Sequence, residues 1–166
     1  KYRVHRASYL GNRYVVLLMP ESWSFELLEA WAPGALWNPV GRVSVVADWE
    51  GWGGRTTYAR TGGSYYAARL AVSEALDHMR RQARVVVFRE VGPGYAFPVG
   101  VWQVRESLRA ALRSEGLVAE ELEEALEMAA RWLTIPMAIW LRASRLLADA
   151  RAQRKITEFL GNLRRA

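Results

Sequence analysis

The sequence predicts an α+β fold: a small sheet of about three to four strands covered by helices, with a helical C-terminal third. Three observations predict it. Short apolar runs rich in β-branched residues occur at Tyr14–Met19, Arg42–Asp48 and Arg84–Val91. A stretch with helical spacing of apolar residues runs from about Ser64 to Arg81. From Val101 onward the pattern is helical nearly throughout.

Tyr14-Val-Val-Leu-Leu-Met19 reads as the first strand, and Pro20, lacking an N–H, stops it. Ser22 is placed to cap a short helix through Trp31 that ends before Pro33. Arg42-Val-Ser-Val-Val-Ala-Asp48 reads as the second strand. Trp49 to Gly63 is Gly-rich and aromatic, and reads as loop. In the helix that follows, Ala68, Val72, Ala75, Leu76 and Met79 share one face, and Arg69, Ser73, Asp77, Arg80 and Arg84 the opposite one. Arg84–Val91 is the third strand, Gly92-Pro93-Gly94 a turn, and Phe97-Pro98-Val99 a short edge piece. In the next helix Val101, Val104, Leu108 and Leu112 form the apolar side, Arg105, Arg109 and Arg113 step along another, and Gly116 ends it. An acidic helix follows, with Leu122, Leu126, Ala129 and Leu133 inward. Pro136 suits the first turn of a last helix that continues to about Phe159 and closes at Gly161. Residues 1–152 therefore read as one α+β domain and 153–166 as a basic tail.

The chain has 166 residues, of which 51% are apolar and 24% charged, enough for a sizeable core and too apolar for intrinsic disorder. No apolar run reaches the roughly 20 residues of a membrane span, so no membrane partner is expected. Cysteine is absent, which removes disulfides, thiol catalysis and cysteine-bound metal. His5 and His78 are too few for a histidine metal site without carboxylates. The chain opens at Lys1 without Met and without a signal peptide, so it reads as a piece of a longer, cytoplasmic protein.

The net charge is +6, and every cation except Lys1 and Lys155 is arginine. The guanidinium fork suits phosphate, and a G+C-rich genome would give the same bias. The charge is uneven: Gly51–Arg113 is basic, Leu117–Leu133 acidic, and Arg142 onward basic.

The loop from Asp48 to Tyr66 is the most unusual stretch. Gly62 and Gly63 let backbone N–H groups approach a ligand, and they immediately precede a helix, whose N-terminus attracts phosphate. Arg55, Arg60 and Arg69 add charge there, with Arg80, Arg84 and Arg105 on helix faces. Trp52, Tyr58, Tyr65 and Tyr66 offer faces for exposed bases. The competing reading is a surface loop whose aromatics pack on the sheet. The glycine spacing matches neither the P-loop nor the dinucleotide fingerprint.

Asp48, Glu50 and Glu90 end predicted strands and are the candidate catalytic residues. They would hold Mg²⁺ for phosphodiester chemistry, as a metal-dependent nuclease or lyase, or else be neutralised by Arg55, Arg89 and Arg105 in ion pairs. No other cofactor is required by this chain. In the tail, Gln153 is followed at helical spacing by Ile156, Phe159 and Leu160. These form an apolar plug for a partner's groove, or the last turn of a helix on its own core.

Several stretches resemble the archaeal Nre DNA-repair family in its C-terminal part. They are Tyr9-Leu-Gly-Asn12, Pro20-Glu-Ser-Trp23 with Trp31 and Trp37, Gly54-Arg55 with Tyr58-Ala59, and Gly62 to Leu70. Arg81-Gln-Ala83, Arg89-Glu90, Pro98 to Glu106 and Gln153 to Leu160 complete the set. The blocks at Gly62–Leu70 and Pro98–Glu106 are the distinctive ones. The resemblance implies a DNA-damage repair protein with DNA as partner. It also implies that Gln153, Ile156, Phe159 and Leu160 form a PCNA-interacting (PIP) box that recruits it to the sliding clamp. Leu160 stands where such boxes usually carry a second aromatic. The family's N-terminal half carries a cysteine-based zinc motif, so zinc is expected in a part absent from this chain. The resemblance implies no particular catalytic activity or oligomeric state.

Overall fold

The computed structural model describes residues 1–36, 38, 41–97 and 99–152. Its strands are β1 (Tyr2–Tyr9), β2 (Asn12–Met19), β3 (Ser24–Trp31), β4 (Ser44–Glu50), β5 (Arg84–Val91) and β6 (Leu117–Ala119). Its helices are α1 (Gly63–Met79), α2 (Trp102–Leu112), α3 (Leu122–Ala130), α4 (Met137–Ala143) and α5 (Arg145–Ala152). All six strands form one sheet in the order β4-β3-β5-β2-β1-β6. Neighbours are antiparallel except β3 and β5, which pair parallel from Ser24↔Arg84 to Trp31↔Val91. The fold is α+β, but the sheet is larger than the three to four strands expected.

Two cores sandwich the sheet. On one face Tyr14, Val16, Phe25, Leu27, Val85 and Val87 meet Ala68 and Val72 of α1 and Leu108 of α2. On the other, Val15, Leu17, Leu28 and Phe88 meet Leu126, Trp140 and Leu147 of α3, α4 and α5. Central strands buried on both faces read as continuous apolar runs rather than alternating ones.

That explains the main correction. Ser22–Trp31 is not a helix; it supplies β3, in the middle of the sheet. Glu26 and Glu29 mimic a helix's polar side in the sequence, yet both are buried. Glu26 points to the α5 side, where it accepts hydrogen bonds from the backbone N–H of Arg145 (2.7 Å) and Leu146 (3.1 Å) and from the Ser144 hydroxyl. Burial pushes its carboxyl above the usual range, and these donors offset part of that.

The same contact accounts for a second difference. The helix expected from Pro136 to about Phe159 is two short helices, parted at Ser144, whose backbone is extended. Glu26 occupies the α5 N-terminus and so satisfies N–H groups that a continuous helix would bond internally. The part of that expectation beyond residue 152 lies outside the described residues. β1 and β6 extend the sheet beyond β2, with β6 at the edge, and the 97–99 stretch contributes no strand among the described residues. α1 ends at Arg80 in a left-handed conformation (φ 55°), slightly earlier than expected.

Candidate functional site at the start of helix α1

Asp48 and Glu50, two residues apart on β4, point to the α1 face and organise the glycine-rich loop. Asp48 takes a forked pair from Arg55 (2.6 and 3.1 Å) and the backbone N–H groups of Arg60 (2.7 Å) and Trp49 (3.1 Å). Burial alone would raise its carboxyl, but the Arg55 bonds and these N–H groups hold it below the usual range. Glu50 accepts from Arg69 Nε (2.7 Å) and the Tyr65 hydroxyl (3.2 Å). Arg55 also lies over the Tyr65 ring, 5.0 Å from its centroid. Arg55, Arg69 and Tyr65 thus fasten the loop to α1, and Tyr65 is fully buried.

The rest of the loop faces outward. The Arg60 side chain is 75% exposed, while one of its amino groups donates to the Ala47 carbonyl (2.6 Å). Trp52 is 70% and Tyr58 72% exposed, and Tyr58 packs on Tyr66 with centroids 5.0 Å apart. The Tyr66 hydroxyl accepts from the Ala59 N–H, which fixes this pair to the loop. Gly62 has φ 59°, a turn conformation that glycine adopts without strain. A Cβ on Gly63 would come within 2.9 Å of Val101, so the 99–102 segment sits directly against the start of α1. Phe97 (73% exposed) and half-exposed Trp102 flank that segment.

The structure does not bring all the sequence-predicted residues together. Arg80 and Arg84 lie at the far end of α1, about 25 Å away at ~1.5 Å per residue. Arg84 is engaged by Glu21 (2.7 Å) and the Leu146 carbonyl. Arg105 is on α2 and pairs with its neighbour Glu106 (3.0 Å). Glu90 points to the opposite face of the sheet from Asp48 and Glu50. There it accepts the N–H groups of Thr134 (2.8 Å) and Ile135 (2.9 Å) and pairs with Arg13 (3.1 Å). The three carboxylates therefore share no common point, and among the described residues no group of three or more His, Cys, Asp or Glu is placed to hold a metal. Gln153, Ile156, Phe159 and Leu160 lie outside the described residues.

One constellation escaped the sequence reading. At the carboxyl ends of the parallel pair β3 and β5, beside the start of α1, an open cavity of about 340 Å³ contains Arg89, Glu29, Ser64, Trp31 and Tyr95. Arg89 bonds Glu29 (2.6 Å), the Ser64 hydroxyl (3.1 Å) and, through Nε, the Asn12 side chain (3.0 Å), and it lies 5.7 Å from the Tyr95 ring centre. Beneath it the Tyr14 hydroxyl, pushed up to about 12 by burial, donates to Gln103 (2.9 Å). Gly11 (φ 72°) braces the turn that carries Tyr95: a Cβ there would fall 2.4 Å from the Gly94 carbonyl carbon, so the β1–β2 turn and the 92–95 turn touch through backbone. The carboxyl end of parallel strands next to a helix N-terminus is where open α/β sheets place ligands. The signal available in the sequence was an arginine inside the apolar run of β5, matched by a glutamate inside another. Reading β3 as a helix hid the match.

The stretches that carry the family resemblance meet here: Asn12, Trp31, Ser64, Arg89 and the Gly100–Gln103 segment leading into α2 all border this cavity or the network beneath it. Comparison with known proteins agrees. Residues 50–159 match the family model described as "Archaeal Nre, C-terminal", and residues 1–38 match "Archaeal Nre, N-terminal". The two matched segments share one sheet, since β3 from the 1–38 segment pairs with β5 from the 50–159 segment along eight residues. The chain is 42% identical over 160 residues to DNA repair protein NreB of Archaeoglobus fulgidus, covering 96% of this chain and 41% of that protein. It is 41% identical over 148 residues to DNA repair protein NreA of Haloferax volcanii (87% and 35%). It is also 41% identical over 123 residues to NreA of Archaeoglobus fulgidus (74% and 31%). The chain thus spans between about a third and two-fifths of the length of these relatives. No solved structure matches it. The family models cover most of the described sheet and helices, and the chain belongs to the archaeal Nre family.

Proposed function

We propose that this chain is the DNA-engaging part of an archaeal DNA-repair protein. The observation that carries the reading is the surface at the start of α1. Tyr58 and Tyr66 pack together, exposed, on the loop that carries Arg60, whose side chain is largely free to solvent, and Trp52 stands exposed earlier in the same loop. Soluble domains seldom leave so many large aromatics outward in one place, and such patches mark interaction sites. Aromatic faces beside a cation fit unpaired bases and their phosphates. The named role of the relatives in DNA repair supports the same reading.

Arg60 is the phosphate contact in this surface; Tyr58 and Trp52 are the stacking platforms. Arg55 and Arg69 act indirectly, by holding the loop in place. The tail residues Gln153, Ile156, Phe159 and Leu160 serve as a PIP box that recruits the protein to PCNA, in keeping with the family resemblance. A fluorescence titration of single-stranded and duplex DNA against the wild-type chain, Arg60→Ala and Tyr58→Ala tests the surface. Binding unaffected by either substitution would overturn it.

A further inference from the structure

We infer that the Arg89 cavity is a nucleobase-binding pocket, which receives one base displaced from the DNA held on the neighbouring surface. The inference rests on the DNA reading above and names the site that reading lacks.

The cavity's chemistry favours a neutral heterocycle over a phosphate. Its one cation, Arg89, and its one anion, Glu29, are 2.6 Å apart and cancel. An anion site would carry a net positive charge. A nucleobase instead presents hydrogen-bond donors beside acceptors along one edge, and the Arg89–Glu29 pair offers the complement, a fixed donor beside a fixed acceptor. Both side chains are buried, so their orientation is set before any ligand arrives.

A second feature points the same way. The Trp31 indole N–H is shielded from solvent and has no hydrogen-bond partner among the described residues. A buried donor without a partner is costly, and a ligand acceptor that reaches it through a turn of the Trp31 side chain, which lines the cavity, would satisfy it. The walls suit a flat ring: Tyr95 and Trp31 are aromatic, and Val91, Val101 and Val104 are apolar. The volume, about 340 Å³, lies in the range of roughly 300–1,000 Å³ typical of small-molecule sites. Ser64 lines the cavity and Tyr66, on another side of the first turn of α1, belongs to the stacking surface, so the pocket and that surface share the start of this helix. Proteins that inspect bases take them out of the stack into pockets of this kind.

The test follows the Trp31 indole resonance in the isotope-labelled full chain, assigned with Trp31→Phe. Thymidine and deoxyguanosine are the probes, and deoxyribose 5-phosphate is the control. The nucleosides should shift the resonance saturably and the control should not. Trp31→Phe removes an N–H that bonds nothing among the described residues, so it should keep the melting temperature while weakening nucleoside binding by about ten-fold. No shift with either nucleoside, or a response to deoxyribose 5-phosphate as large as theirs, would overturn the pocket. DNA binding is scored separately on Arg60→Ala. Nucleoside shifts without any DNA binding would sink the DNA surface and keep the pocket; DNA binding without nucleoside shifts would do the reverse.

Discussion

Arg89 on β5 and Glu29 on β3 sit at the same level of the parallel strand pair, with Nη1 and Oε2 2.6 Å apart and both side chains buried. Breaking such a pair from one side strands a charge in the interior. Glu29→Gln and Arg89→Met should each cost about 3–5 kcal/mol, and the double variant less than the sum. Urea unfolding of the three variants checks this. Additive losses would show that the two residues do not act as a pair.

Arg55 and Arg60 make the contrasting case of a structural arginine beside one proposed to meet DNA. Arg55→Ala leaves the buried Asp48 without its forked partner, so it should lower the melting temperature. Arg60→Ala keeps the Arg60 backbone N–H bond to Asp48 and loses only exposed side-chain contacts, a 4.0 Å approach to that carboxylate and a bond to the Ala47 carbonyl, so the melting temperature should change far less. Thermal melts of the two variants side by side separate these roles. Equal melting temperatures would contradict the assignment.

His5 gives the fold a pH dependence. Its ring is buried on β1 with Gly116 packed against it, where a Cβ would lie 2.8 Å from Cε1. Burial, helped by nearby Arg3, holds its pKa below the ordinary 6.5, though the Ala111 and Ser114 carbonyls offset part of this. The native state therefore refuses a proton that the unfolded chain accepts. Stability from this group is full above pH 6.5 and falls as the pH drops below it. Unfolding free energies measured between pH 8 and pH 5 should decline less steeply below that point for His5→Leu than for the wild type. Identical slopes would remove His5 as the cause.

Much of the fold was legible in the sequence, and the failures have physical causes. β5 was bounded correctly because Val85, Val86, Val87 and Phe88 leave a strand as the only sensible reading. α1 was visible because its Ala68, Val72 and Leu76 stripe is one-sided. β3 was lost because Glu26 and Glu29 are buried charges satisfied by α5 and Arg89, partners far away in the chain. The outward aromatics Trp52, Tyr58 and Tyr66 were legible; the burial of Tyr65 by Glu50 and Phe25 was not, since it depends on how β4 meets α1. Asp48, Glu50 and Glu90 looked alike as strand-end acids, and only strand register separates their faces.

The proposed PIP box predicts a division of labour between tail and domain. Phe159→Ala should remove most affinity for PCNA, since one aromatic anchor often carries about 2 kcal/mol or more, and should leave the melting temperature unchanged. Leu160→Phe should tighten binding by filling the groove. Calorimetry with purified PCNA reads both. A Phe159→Ala chain that unfolds yet still binds PCNA would make the tail part of the core.

The most direct measurement of the central claim is the salt dependence of DNA affinity for the wild type and for Arg60→Ala. With Arg60 on a phosphate, the variant should bind more weakly and lose about 0.7–0.9 units of the log–log slope, as one contact's worth of counterion release disappears. A slope equal to the wild type's, with affinity unchanged, would contradict a DNA interface at the start of α1.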